Sequence, residues 1–167
     1  MIFSSELCDQ AQKVLNKFAE KNLKISTAES CTGGLLSALL TEISGSSKVF
    51  DRGFVTYSNQ AKNEMLGVKK ETLESFGAVS KEVAKEMAEG ALKNSKSDVS
   101  LAITGIAGPT GDSKRKSVGL VFIATCFDGK TLVQEFNFSG NRGEVRISAV
   151  ASALEMLLRL PCDTAPN

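Results

Sequence analysis

The stretch "LKISTAESCTGGLLSALL", residues 23–40, changes character twice. Its opening, "LKIST", reads as a short strand, and its close belongs to "GLLSALLTEI", a helix apolar enough to be mostly buried and stopped at "SGSS". Between them "TAESCTGG" crowds hydroxyls, a thiol, a carboxylate and two glycines into one turn. A strand that passes through glycine into a helix is the repeating unit of an α/β domain, and the flanking sequence repeats it.

Upstream, "SSELCDQAQKVLNKFAEKN" places Leu7, Ala11, Val14, Leu15 and Phe18 at helical spacing, with Ser4 or Ser5 as N-cap and Asn22 as stop. Downstream, "FVTYS" (54–58) reads as a strand that breaks at Ser58–Asn59, before the helix-like "QAKNEML" and "KETLESF". Ser80 caps the amphipathic "KEVAKEMAEGALKNS", and "DVSLAIT" is a strand running into the glycine-rich "GIAGPTGD". "VGLVFIATCF" and "TLVQEFNFS" are strands joined at Asp128–Gly129, the strongest local hairpin signal in the chain. "GEVRISAVASALEMLLRL" is a last helix, ended by Pro161. The pattern predicts one α/β domain over residues 1–160 and a polar tail at 161–167. Its helices should cover both faces of a mixed, mainly parallel sheet that contains one hairpin. Ligands of such sheets gather where strands end in loops, so "ESCTGG", "TYSNQAK", "TGIAGPTG" and "SGNRGEVR" are expected around one cleft.

Composition narrows the chemistry. A chain of 167 residues with a net charge of +1 fits one domain and gives no reason to expect a nucleic-acid surface. The N-terminus lacks a basic region before a long apolar run, and "VGLVFIATCF" is too short to span a membrane, so a soluble, cytoplasmic protein is expected. Cys8, Cys31, Cys126 and Cys162 are scattered without a CxxC, and there is no histidine. Neither a zinc set nor a disulfide framework is expected, and no metal site is predicted.

The absence of histidine also removes the Ser-His-Asp and Cys-His arrangements. In "TAESCTGG", Thr32, Gly33 and Gly34 should lie at a helix start, where backbone N–H groups and the positive dipole end hold a phosphate or a developing oxyanion. Ser30, just ahead of them, stands where an attacking hydroxyl belongs. Plain capping by Ser30 or Thr32 is the more ordinary reading of these residues alone. A lysine is then the main candidate base, and Lys62 is placed in the first turn of a helix capped by Ser58 or Asn59. The dipole there disfavours its ammonium. Tyr57, the only tyrosine, could orient the lysine or relay a proton; a solvated lysine and a tyrosine covering the sheet edge are the bland alternatives. Thr104 and Gly105 open a loop with further glycines at 108 and 111 that admits a ligand close to the backbone. Arg142 and Arg146, four apart, could present two guanidinium forks to a phosphate, or could pair with Glu135 or Glu144. Cys31 is a rival nucleophile if its helix-start position lowers the thiol pKa.

"TAESCTGG", "DRGFVTYSNQAKNEMLGV", "GAVS", "TGIAGPTG" and "FSGNRGEVR", in this order and spacing, closely resemble the C-terminal domain of the competence/damage-inducible protein CinA and its stand-alone bacterial relatives, the nicotinamide-nucleotide amidases. The resemblance runs from about residue 5 to 160. It implies a three-layer α/β/α fold and hydrolysis of nicotinamide mononucleotide to nicotinic acid mononucleotide and ammonia, without a cofactor. It further implies Ser30 as nucleophile, Lys62 as general base, Tyr57 assisting, and Thr104 and Arg142 in the substrate site. Relatives often carry a proline where Ser117 stands here, and a less basic loop than "DSKRKS". Larger family members carry an N-terminal domain linked to nucleotide pyrophosphatase activity, which this sequence does not include and which is not carried over. The alternative function is a nucleotide-binding or regulatory module of the same fold without catalysis. The expected partner is a small nucleotide, with neither nucleic acid nor membrane; a homodimer would be unsurprising, because an apolar helix face serves a core or a partner equally well.

Overall fold

β1 (Ile25–Glu29) is buried at every position, and its alternating side chains divide the molecule in two. Ile25 belongs to an apolar core shared with α1 (Ser5–Glu20), α2 (Leu35–Glu42) and α6 (Arg142–Arg159), while Ala28 belongs to a second core under α5 (Lys81–Lys93). Leu66, Val68 and Leu73, from α3 (Asn59–Leu66), the following link and α4 (Lys70–Phe76), join the second core. The result is a three-layer α/β/α sandwich, described for residues 2–162 by this computed structural model; the predicted tail from 163 onward lies outside the described residues.

The remaining strands are β2 (Phe50–Val55), β3 (Val99–Gly105), β4 (Leu120–Phe127) and β5 (Lys130–Asn137), and the sheet order is β2-β1-β3-β4-β5. β1 pairs in parallel with β2 and β3; β4 is antiparallel to β3 and β5. Mixed pairing was expected from the late hairpin, whose turn at Asp128 (φ 49°) and Gly129 (φ 70°) has the two positive φ values of a type I′ connection. Helix caps follow the sequence: Ser4, Ser58 and Ser80 accept from backbone N–H groups of α1, α3 and α5. Asn22, the predicted stop of α1, takes a left-handed φ of 54°.

Two boundaries differ from the sequence reading. The second strand is not "FVTYS" but residues 50–55, so Thr56 and Tyr57 lie beyond its end. It is an edge strand with Asp51, Arg52 and Gly53 exposed, and an exposed edge carries no apolar alternation to mark it. Helix α2 starts only at Leu35, because Gly33 (φ 60°) and Gly34 (φ 95°) both occupy the left-handed region that delays the helix.

The topology gathers the site. From β1 the chain passes through α2 to β2 on one side, then through α3–α5 to β3 on the other. The order therefore switches between β1 and β3, and the crevice outside their carboxyl ends is where open α/β sheets bind ligands. Ser30 follows β1 directly, Thr104 and Gly105 end β3, and Thr56 follows β2.

Candidate active site

Ser30 leaves β1 with its own N–H donating to the Ile103 carbonyl of β3 (3.0 Å). Its carbonyl then accepts from the Gly33 N–H (3.0 Å), which closes a tight turn around Cys31 and Thr32. The start of α2 is capped by a residue for which sequence reasoning gave no role. Glu29, fully buried, accepts from the backbone N–H groups of Gly34 (3.1 Å), Leu36 (3.1 Å) and Ser37 (2.8 Å), and from the Ser37 hydroxyl (2.7 Å). Four donors on one carboxylate, at the positive end of a helix, satisfy a charge that would be costly to bury alone. Glu29 stands five to eight positions before the amides it caps, outside any short-range capping pattern.

This arrangement corrects the expected use of the helix start. The Gly34 amide serves Glu29 and the Gly33 amide serves Ser30, so neither is free for a phosphate or an oxyanion. Neither Ser30 nor Thr32 caps α2; the Thr32 hydroxyl is buried without a partner. Among the described residues, the N–H groups of Cys31 and Thr32 donate to no backbone or side-chain oxygen, and these are the donors left beside Ser30.

Lys62 comes from the first turn of α3, and its side chain runs inward until only 1% of the residue is exposed. Its Nζ lies 2.9 Å from Ser30 Oγ, 2.8 Å from the Thr56 carbonyl and 3.4 Å from the Tyr57 carbonyl. Burial pushes the lysine pKa down from 10.5 to about 8. The sequence reading pointed to the same direction but attributed it to the helix dipole; desolvation is the cause. The three contacts also fix how the neutral amine sits. Two carbonyls can only accept, so they take its two hydrogens, and the lone pair is left for the Ser30 hydroxyl. A lysine and a serine are thereby poised for proton transfer.

A cavity of about 310 Å³ opens in front of this pair. Ser30, Lys62, Tyr57, Thr104, Gly105 and Arg142 all line it, together with Cys31 and the 106–111 loop; Thr32, Gly33 and Gly34 do not. Thr104 Oγ1 donates to the Ala78 carbonyl (2.8 Å), so it holds the wall of the cleft. Gly105 is needed for packing: a Cβ there would stand 2.8 Å from the Leu120 carbonyl oxygen and 2.7 Å from Val121. Arg142 donates from Nη1 to the Gly108 carbonyl (2.9 Å) and from Nη2 to the Tyr57 hydroxyl (3.0 Å). Of its five N–H donors three remain for an anion in the cleft. The Tyr57 phenol thus belongs to the arginine, whereas its carbonyl belongs to the lysine. Arg142 and Arg146 do not form a double fork, because Arg146 Nη2 is turned to the Thr32 carbonyl (2.8 Å). Glu144 is not an arginine partner either; it accepts from the Asn141 N–H (2.7 Å) in a capping box at the start of α6.

Cys31 also lines the cleft, but burial, with the Glu29 carboxylate adding to it, raises its thiol to about 11. A thiol held protonated is a poor nucleophile. The helix-start argument for a reactive Cys31 therefore fails on desolvation. Among the described residues no group of three or more cysteine, aspartate or glutamate side chains is placed to hold a metal ion, and no helix is long and apolar enough to cross a membrane.

The CinA C-terminal domain model matches residues 8–160. The chain belongs to this family. Among its relatives are competence-damage inducible proteins of Caldicellulosiruptor saccharolyticus, 52% identical over 86% of this chain, and of Acetivibrio thermocellus, 54% identical over 84%. The alignments cover 35% and 34% of those two proteins, so the chain spans about a third of the length of the curated relatives it matches. Among solved structures, a competence/damage inducible protein from Agrobacterium tumefaciens superposes with a TM-score of 0.92 at 48% identity, covering 97% of this chain and 98% of that one. A CinA superfamily protein from Escherichia coli gives 0.89 at 35% identity, covering 93% and 92%. The mixed α/β fold is thus the fold of CinA-family proteins.

Proposed function

We propose that this domain hydrolyses the carboxamide of nicotinamide mononucleotide, with Ser30 as nucleophile and Lys62 as general base. The observation that carries the reading is the 2.9 Å contact between Ser30 Oγ and a buried Lys62 whose pKa is lowered to about 8. Lys62 takes the serine proton as Oγ attacks the amide carbon, which forms a C–O bond and places the negative charge on the carbonyl oxygen. Cys31, which follows Ser30 and lines the cleft, carries the backbone N–H nearest in sequence to receive that charge. Collapse breaks the C–N bond, and the Lys62 ammonium returns the proton to the departing nitrogen, so ammonia leaves and a Ser30 ester remains. Lys62, neutral again, deprotonates a water that attacks the ester; the carboxylic acid is released and Ser30 recovers its proton. Arg142, steadied by Tyr57 and Gly108, offers its three remaining donors to the nucleotide phosphate.

The test is ammonia release from nicotinamide mononucleotide by wild type beside Ser30→Ala. Activity in wild type and its loss in Ser30→Ala support the reading. Nucleotide binding without ammonia release would sink it and leave a non-catalytic module.

A further inference from the structure

Arg146 is a cation without a carboxylate. It stands in the first half of α6, partly buried, and among the described residues no acidic side chain lies within 4 Å of its guanidinium. Its Nε is buried with no partner at all. Such a group is expensive to hold inside a protein, and here its one bond is to a backbone oxygen: Nη2 to Thr32 O, 2.8 Å. That oxygen belongs to the peptide plane whose other end, the Gly33 N–H, donates to the Ser30 carbonyl. One plane is therefore pinned at its oxygen by Arg146, with the Leu35 N–H at 3.2 Å as a second and longer contact, and at its nitrogen by the nucleophile's own carbonyl. Glu29 holds the next stretch through the Gly34 amide.

Resting on the serine-nucleophile reading above, we infer that Arg146 is a positioning residue for Ser30: by gripping the Thr32 carbonyl it fixes the turn that carries the serine and the backbone N–H groups that follow it. A preorganised turn makes its donors available to an oxyanion without rearrangement when the charge develops. Its influence falls on the transition state. The substrate phosphate is left to Arg142, which lines the cleft while Arg146 does not.

The experiment compares wild type, Arg146→Met and Arg146→Lys in the full chain, with folding checked by thermal melts. Two readouts are used: steady-state hydrolysis of nicotinamide mononucleotide, and the rate at which a fluorophosphonate phosphonylates Ser30 with loss of fluoride. Arg146→Met should lower kcat about 10- to 100-fold with KM within about twofold, and slow fluorophosphonate labelling by a similar factor. Arg146→Lys, which keeps the charge but not the fork, should show the same split at about three- to tenfold, and measures the effect even if the methionine variant fails to fold. Wild-type kcat and labelling in either folded variant would overturn the inference. So would a KM rise that disappears with nicotinamide riboside, which would make Arg146 a phosphate ligand. A wild type that takes the fluorophosphonate but releases no ammonia defeats the substrate assignment alone, and the labelling rates then decide the role of Arg146. Absence of labelling in wild type removes Ser30 as nucleophile and the inference with it.

Discussion

Two lysines of this fold each end on three oxygens, at opposite purposes. Lys17 of α1 donates to the carbonyls of Leu157 (3.3 Å), Leu158 (2.6 Å) and Leu160 (2.6 Å), the loose ends of α6. Lys62 faces two carbonyls and a serine hydroxyl. Three carbonyls consume all three hydrogens of an ammonium and leave nothing to exchange. Replacing one of them by a hydroxyl creates a partner that can give a proton as well as accept a hydrogen bond. Burial supplies the second difference: Lys17 is half-buried beside the helix end, whereas Lys62 is buried at the wall of the cleft and its pKa falls to about 8. The first lysine is built as a C-terminal brace; the second has the setting of the base proposed above.

The comparison breaks first at Lys62 itself. Lys62→Arg keeps the positive charge but cannot deliver a neutral base, so kcat should fall about 10²- to 10⁴-fold, the range for loss of a general base. Ser30→Ala should be at least as damaging, while Cys31→Ala should retain turnover because its thiol is held protonated near 11. A Lys62→Arg enzyme with near-normal kcat would return Lys62 to the same class as Lys17.

A pH series sharpens the contrast. Only the neutral amine accepts the serine proton, so kcat/KM should rise with pH to a plateau above about 8. Two units below that value about 1% of Lys62 is neutral, which predicts a roughly 100-fold loss. Stability carries the same signature. The folded pKa is depressed, so between about 8 and 10.5 the unfolded chain binds the proton that the folded chain has lost. Stability should then rise with pH across that window in wild type relative to Lys62→Met; below about 8 both states are protonated and the cost of burial is felt in full. A flat difference between the two melting curves over this range would show that Lys62 is not titrating as argued.

Much of this site was legible because its chemistry is local. The absence of histidine directs attention to lysine, and "TYSNQAK" already places Lys62 one turn beyond a serine cap, as found. Arg142 could be singled out by its place at the start of the last helix. Relations across strands were not legible. Glu29 caps a helix whose first residues are five to eight positions away, through a turn with two left-handed glycines, and no short-range pattern announces it. Arg146 reaches Thr32 across 114 positions, so its spacing from Arg142 suggested a shared ligand that the fold does not allow. The edge strand was misplaced toward the apolar "FVTYS" because Asp51, Arg52 and Gly53 face solvent, and Gly53 is selected by contact, since a Cβ there would meet the Ser37 and Thr27 hydroxyls at 2.4 and 2.8 Å.

Arg142 tests the mouth of the cleft against its floor. Removing a guanidinium that holds a phosphate should cost about 1.5–3 kcal/mol in kcat/KM, expressed mostly as raised KM. For nicotinamide riboside, which has no phosphate, the loss should shrink. Tyr57→Phe removes one of the two groups that steady Arg142 and should show a smaller loss of the same kind, with the base intact because the Tyr57 carbonyl on Lys62 is unchanged. Equal damage to riboside and nucleotide in Arg142→Ala would make Arg142 a clamp on the Gly108 loop instead.

The smallest effect belongs to the other lysine, and it is the control that gives the comparison its meaning. Lys17→Met keeps the length and apolar stem of the side chain and removes only the three bonds to the end of α6. A cation at a helix C-terminus stabilises by roughly 0.3–1 kcal/mol when partly exposed, so a loss near the upper end of that range is expected, visible as a melting temperature lower by a few degrees. Hydrolysis of the nucleotide should be unaffected at temperatures below the transition, since α1 packs on α2 and α6 on the face of the sheet opposite α3 and Lys62. If kcat fell in Lys17→Met while the melting temperature held, the C-terminal end of α6 would be coupled to its N-terminal end, where Arg142 and Arg146 stand. The separation drawn between a bracing lysine and a reacting one would then fail on the brace.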